Sequence, residues 1–244
     1  TEYLRSMPRA AAFFDLDRTL LLGSSGRVFS AGLERQGLIG PDRFGLQRIL
    51  FGLFDTVGET LPSMILSRQG ARAAKGWPQE QVQAVGHEVA STLADAVEPF
   101  ARQAIESHRA EGRQLVLATT TPRDLVDPLA EMLGFDAVLA TRYRVGAAGR
   151  YDGTIDGEFV WSRGKARMVA VWARANQVEL ADSFAYSDSI FDVPMLSMVG
   201  HPVAVNPDAR LLVYAQAQSW PTVWFNAPPG VPKPIGIEPQ EVLT

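Results

Sequence analysis

The sequence predicts an α/β protein, a Rossmann-like parallel sheet wrapped by helices, with a helical segment inserted after the first strand. Three observations lead there. Short apolar runs at 11–14, 115–118 and 184–187 each stop at acidic or hydroxyl residues, the pattern of buried parallel strands opening into loops. From residue 100 onward such runs alternate with helical stretches, as successive βα units do. Residues 27–98 hold amphipathic stretches but no convincing strand.

In chain order, the first strand spans about 10–15 and leads into Gly23-Ser24-Ser25-Gly26. Helices are expected at 27–36, 42–54, 60–74 and 79–96, where apolar residues recur at helical spacing. The Gly23–Gly26 and Glu98-Pro99 steps are hinge candidates. They divide the chain into a core of 1–24 and 99–226, a helical cap of 25–98 and a tail of 227–244. The core continues with a helix at 100–111, a strand at 114–118, a helix at 122–133 and a strand at 137–140. A hairpin at 143–160, a helix at 163–176 and strands at 183–187, 202–205 and 222–225 complete it. Thr121, ahead of Pro122 and Asp124, reads as a helix N-cap, and Asn206-Pro207-Asp208 reads as another cap-then-proline start. Five prolines between Pro228 and Pro239 exclude a helix from the tail.

Composition narrows the function. A chain of 244 residues with 46% apolar content can fill one sizeable core and a smaller one. Its net charge of −4 argues against a nucleic-acid or anionic-membrane partner. The absence of cysteine excludes disulfides and thiol chemistry and fits a reducing compartment. The N-terminal residues lack a signal-peptide pattern and no stretch is long enough to span a bilayer, so the sequence predicts a cytoplasmic protein without stable membrane insertion.

The chemistry concentrates at strand ends. Phe13-Phe14 runs into Asp15-Leu16-Asp17-Arg18-Thr19. Residues two apart on a strand share a face, so Asp15 and Asp17 can address one site, where two acids call for a compensating cation. The bland alternative is a solvated turn. Thr119-Thr120-Thr121 ends the second run beside a helix start, offering hydroxyls and free N–H groups to an anion. Lys165 falls in the first turn of a helix, where the dipole disfavours a cation; facing carboxylates and a phosphate would explain it. The third run delivers Asp188, with Asp192 four residues on.

In this order, Asp15-x-Asp17-x-Thr19, Thr119, Lys165 and Asp188-x-x-x-Asp192 resemble the haloacid dehalogenase-like superfamily of phosphohydrolases, nearest its phosphoserine-phosphatase-like branch. The likeness extends through Tyr186–Leu196 and Pro202–Asp208 and covers roughly 10–24 and 100–226. It implies a phosphatase with Asp15 as nucleophile and Asp17 as general acid and base. It also implies Mg²⁺ held by Asp15, the backbone carbonyl of Asp17 and Asp188, with Asp192 ordering the metal's waters or Lys165. Thr119 and Lys165 would hold the phosphoryl oxygens. Thr120, Ser24 and Arg18, flanking these motifs, are candidate substrate contacts. The partner implied is a small phosphorylated metabolite.

The chain departs from that branch at three points. Ser24 stands where phosphoserine phosphatases carry a glutamate that reads the substrate's amino group, which directs away from phosphoserine. Thr120 and Thr121 replace two glycines, and Ser187 replaces the glycine before the metal-binding aspartate. In the cap, Ile49–Phe54 and Met64–Leu66 are strongly apolar; the core of a small bundle accounts for them better than a lipid-phosphate groove. Arg68 and Arg72, a turn apart, could bind a substrate carboxylate or second phosphate, although exposed helix arginines are usually solvated. Trp77 serves packing or a ligand equally well. His87, His108 and His201 lack metal-ligand spacing and receive no role. A phosphotransferase or phosphomutase could use the same residues, and a homodimer through the cap or tail stays open.

Overall fold

The computed structural model describes residues 9–40 and 69–224. Helices expected at 42–54 and over most of 60–74 lie outside the described residues, as do Ile49–Phe54, Met64–Leu66, Arg68 and the proline-rich tail; residues 69–73 are helical.

The chain enters through strand β1 (Ala11–Phe14), buried along its whole length. Helix α1 (Gly26–Arg35) follows, then α2 (Gln79–Asp95) and α3 (Pro99–Ala110). Next come β2 (Gln114–Pro122), α4 (Arg123–Met132), β3 (Ala137–Thr141) and the hairpin strands β4 (Tyr143–Val145) and β5 (Tyr151–Ile155). After α5 (Arg163–Ala175), β6 (Phe184–Ser187) leads to the short α6 (Val193–Leu196), β7 (His201–Val205), α7 (Ala209–Ala217) and β8 (Thr222–Val223).

Six strands form one parallel sheet in the order β3-β2-β1-β6-β7-β8. Strand alternation assigns the two faces. Ala12, Phe14, Leu115, Leu117 and Tyr186 pack with α3 and α4 on one side. Ala11, Phe13, Val116, Ala118 and Ala185 pack with α5, α6 and α7 on the other.

The apolar faces of α1 and α2 continue the first of these clusters through Phe29, Leu33, Val82, Val85, Val89 and Leu93. Helix α2 lies so close to α4 that a Cβ on Gly86 would come within 2.8 Å of the Leu125 carbonyl oxygen. Asp124, in the first turn of α4, accepts hydrogen bonds from Gln79 (2.9 Å), Gln83 (2.8 Å) and the Tyr151 hydroxyl (2.7 Å). The segments that leave and rejoin the sheet run side by side, with Leu21 and Val97 in an antiparallel bridge.

Four local expectations are corrected. Strand β2 runs on through Pro122, which is itself extended at ψ 134°, so Pro122 rather than Thr121 occupies the N-cap position of α4. The cap of α7 is Asp208, whose carboxylate accepts from the N–H groups of Arg210 and Leu211, and not Asn206. The hairpin ends at Ile155 instead of 160, and β8 at Val223 instead of 225.

Candidate active site

Strand order reverses between β1 and β6: the chain moves outward one way through β2 and β3, and the other way through β7 and β8. In a parallel sheet the C-terminal mouth of such a reversal opens a crevice. Asp15 and Asp188 stand at that mouth. The N–H of Asp15 donates to the Tyr186 carbonyl at 3.0 Å, extending the β1–β6 ladder by one rung before the chain turns away. Strand β6 ends at Ser187, and Asp188 follows, 3% exposed.

Lys165 reaches the same point from α5. Its side chain is fully buried, with Nζ 2.8 Å from Asp15 Oδ1 and 2.6 Å from Asp192 Oδ2. A buried lysine is tolerated only when paired in this way. Two backbone features bring it there. Ser162, at the N-cap position of α5, has φ 51°, and Gly164 packs against the Phe159 carbonyl so closely that no Cβ fits. The Ser187 hydroxyl donates to Asp192 Oδ2 at 2.7 Å, holding the carboxylate toward the lysine.

Beyond Asp15 the chain coils tightly, the N–H groups of Leu20 and Leu21 both donating to the Leu16 carbonyl. Asp17 Oδ1 accepts from the N–H of Ser25 at 2.6 Å, fastening this turn to the start of α1. Arg18 adopts φ 59° and sets its Nε 2.9 Å from Asp188 Oδ2. Thr119 is buried in β2, two residues past Leu117, which pairs with Phe14 of β1. The Thr119 hydroxyl accepts from the N–H of Thr121 at 3.2 Å.

At this end of the sheet the structure joins Asp15 and Asp192 through Lys165 and pairs Arg18 with Asp188. The other two expected substrate contacts make local bonds. Thr120 donates its hydroxyl to the Val160 carbonyl at 2.9 Å, and Ser24 accepts from the N–H of Gly26 at 3.2 Å. Arg72 is exposed, and Trp77 packs against the apolar cluster. Three contributors were not assigned roles from sequence: Ser187, Asn206, which donates to the Arg18 carbonyl at 3.2 Å, and Asp208, whose N–H donates to the Asp188 carbonyl at 2.8 Å. A hydroxyl at the tip of a buried strand, and Asn-Pro-Asp after the next one, were the signals available.

The donor set fits a hard divalent cation. Asp15, Asp188 and Asp192 bring three carboxyl groups against the two cations Lys165 and Arg18, and Asp17 adds a fourth carboxyl group to the same end of the sheet. Asp192 Oδ1 is buried without a hydrogen-bond partner among the described residues. Among those residues, no three His, Cys, Asp or Glu side chains come together as a group that could hold a metal ion. Mg²⁺ does not require one, since it keeps several waters and takes one or two carboxylates plus phosphate oxygens.

A second buried polar group lies behind the site. His108 is fully buried, its Nε2 2.7 Å from the Tyr186 hydroxyl and its Nδ1 2.9 Å from Arg113 Nη1. Arginine only donates, so Nδ1 accepts, and Nε2–H donates to the tyrosine. Burial, helped by Arg113 and then His201, pushes the imidazole pKa down to about 3. Burial likewise raises that of the Tyr186 phenol. Tyr186 stacks on Phe14 at 4.6 Å, so this network braces the two strands that carry Asp15 and Asp188.

The family model for haloacid dehalogenase-like hydrolases matches residues 12–197. The chain is 36% identical over 230 residues to an "inhibition of morphological differentiation protein" of Streptomyces azureus, covering 91% of this chain and 81% of that one. It is 34% identical over 220 residues to a phosphoserine phosphatase of Mycobacterium tuberculosis, covering 86% and 69%. A crystal structure of a Bordetella pertussis protein of unknown function superposes with a TM-score of 0.73 at 29% identity, covering 89% of this chain and 99% of the other. With the acids at the sheet's reversal, a buried lysine between two of them and a family match across most of its length, the chain belongs to the haloacid dehalogenase-like hydrolases.

Proposed function

We propose that this chain is a Mg²⁺-dependent phosphomonoester hydrolase that works through an aspartyl-phosphate on Asp15. The observation that supports this best is Lys165, held without solvent contact between Asp15 and Asp192. It fixes one Asp15 oxygen and leaves the carboxylate oriented at the crevice mouth. Asp15 attacks phosphorus, the bond to the leaving oxygen breaks, and the acyl phosphate forms, splitting one hard displacement into two easier ones. Asp17, tethered by the Ser25 N–H, gives a proton to the leaving oxygen. It then takes one from the water that releases phosphate and frees Asp15. Thr119 and Lys165 offset charge on the phosphoryl oxygens. Bound Mg²⁺ supplies further charge neutralisation, and Asp15, Asp188 and the Asp17 carbonyl are the groups to hold it.

The substrate is a small phosphorylated metabolite. The Mycobacterium tuberculosis relative is named a phosphoserine phosphatase. Here the position that would read a substrate ammonium is Ser24, whose hydroxyl bonds within its own turn, so we assign a phosphomonoester other than phosphoserine. The test is phosphate release across a broad phosphomonoester panel, with and without Mg²⁺, for wild type and Asp15→Asn. Mg²⁺-dependent release abolished by the substitution supports the proposal. Turnover only when an acceptor alcohol is added identifies a phosphotransferase instead, and undiminished turnover by Asp15→Asn removes the nucleophile.

A further inference from the structure

We propose that Thr120 and Thr141 are positioning residues that set Lys165 in the site by clamping the backbone of Val160; this rests on the reading of Lys165 as part of the phosphatase centre. Val160 and Thr141 are buried, at 0% and 1% exposure. The Val160 carbonyl accepts from the Thr120 hydroxyl at 2.9 Å, and the Val160 N–H donates to the Thr141 hydroxyl oxygen at 3.2 Å. Both backbone groups of one residue are thereby held by side chains from two adjacent strands. The strand pattern explains how they get there. Side chains two apart on a strand share a face. Val116 and Ala118 of β2, and Leu139 of β3, pack on the side that carries α5. Thr120 and Thr141 stand two residues further along the same rows, where the chain enters α5.

From Val160 to Lys165 the chain has little slack. The Trp161 N–H donates to the Phe159 carbonyl at 2.8 Å, and the Trp161 carbonyl accepts from the N–H groups of Gly164 at 2.9 Å and Lys165 at 3.4 Å. With Ser162 at φ 51° and Gly164 pressed on the Phe159 carbonyl, a shift of Val160 is passed on to the lysine backbone. The clamp is anchored on β2 and β3, whereas the carboxylates that Nζ meets stand after β1 and after β6. The threonines thus fix the far end of a span that crosses the reversal in strand order. Buried backbone groups need partners of some kind. Here one partner is the immediate neighbour of Thr119, so the clamp sets Lys165 in register with the other group expected to hold the phosphoryl oxygens.

The experiment is NMR of protein carrying isotope-labelled lysine, without substrate, paired with steady-state kinetics. The sequence has three lysines, Lys75, Lys165 and Lys233, so the ammonium signals are few. A buried, paired ammonium exchanges its protons slowly with water, and its signal is assigned by its loss in Lys165→Arg. Thr120→Val and Thr141→Val keep the shape and remove the hydroxyls; Thr120→Ser and Thr141→Ser keep the hydroxyls. The valine variants are expected to speed exchange at Lys165 about tenfold and to lower kcat about tenfold to a hundredfold, with KM within about twofold of wild type. The serine variants should stay near wild type on both readouts. Thr120→Val strands a carbonyl and not an N–H, the milder change, and supplies the readout if Thr141→Val does not fold. Either readout unchanged in a folded valine variant of an active enzyme overturns the proposal. A rise in KM alone for Thr120→Val also overturns it and makes Thr120 a substrate contact. A wild type that shows the slow ammonium but hydrolyses no phosphomonoester overturns the phosphatase reading, and the exchange rates alone then decide the clamp.

Discussion

Two buried polar groups flank strand β6 and solve burial in opposite ways. At the mouth, Lys165 stays paired with Asp15 and Asp192. Behind it, His108 is held neutral between Arg113 and Tyr186. A charged cluster is expensive to keep out of water and gains little stability over an apolar one, so its presence calls for a chemical purpose. A neutral histidine in a hydrogen-bonded chain costs far less and serves to fix the strands. The contrast separates the part of the core that reacts from the part that aims it.

The largest effect should come from cutting the charged cluster. Lys165→Met leaves two buried carboxylates uncompensated. It should cost about 3–5 kcal/mol in urea unfolding and remove phosphatase activity; a variant as stable as wild type would show that the lysine is solvated. Next is the pH dependence of the neutral group. Unfolded, a histidine titrates near 6.5, whereas in the fold His108 is lowered to about 3. Below 6.5 the unfolded chain therefore binds a proton that the native state refuses. Stability present above that pH is lost as pH falls toward 3, by about 1.4 kcal/mol per unit for this one group. His108→Gln should flatten that slope in unfolding measured from pH 7 to 5, and an unchanged slope would place the titration elsewhere. Ser187→Ala removes one donor from Asp192 and should cost about 1–3 kcal/mol, with a larger effect on turnover than on substrate affinity. Tyr186→Phe, in the neutral group, strands the buried His108 Nε2–H and should cost about 1–3 kcal/mol, yet leave turnover nearly unchanged.

Much of this was legible in the sequence, for reasons that particular residues make clear. Ala11–Phe14 and Phe184–Ser187 read as buried strands because both faces of a parallel sheet are covered, giving continuous apolar runs. Lys165 stood out because a cation in a first helical turn opposes the dipole, and its burial confirmed that something had to pay for it. The helix caps were harder. Thr121 and Asn206 are plausible caps by type, yet Pro122 is itself extended and Asp208 caps the later helix with its own carboxylate, so the helices start one and two residues further on. His108 was passed over because its partners, Arg113 and Tyr186, come from a loop and from a strand 78 residues away. The phenol inside a buried strand was the clue that a partner must exist. Arg18 has a left-handed backbone, which no side-chain pattern announces for a residue other than glycine.

The most direct test of the account is to trap the covalent state. Wild type and Asp15→Asn, mixed with Mg²⁺ and the best substrate from the panel, would be acid-quenched within the first turnover and digested for mass spectrometry. The account predicts a phosphoryl adduct on the peptide containing Asp15 in the wild type and none in the variant. An adduct on any other residue, or full turnover by Asp15→Asn, would contradict it.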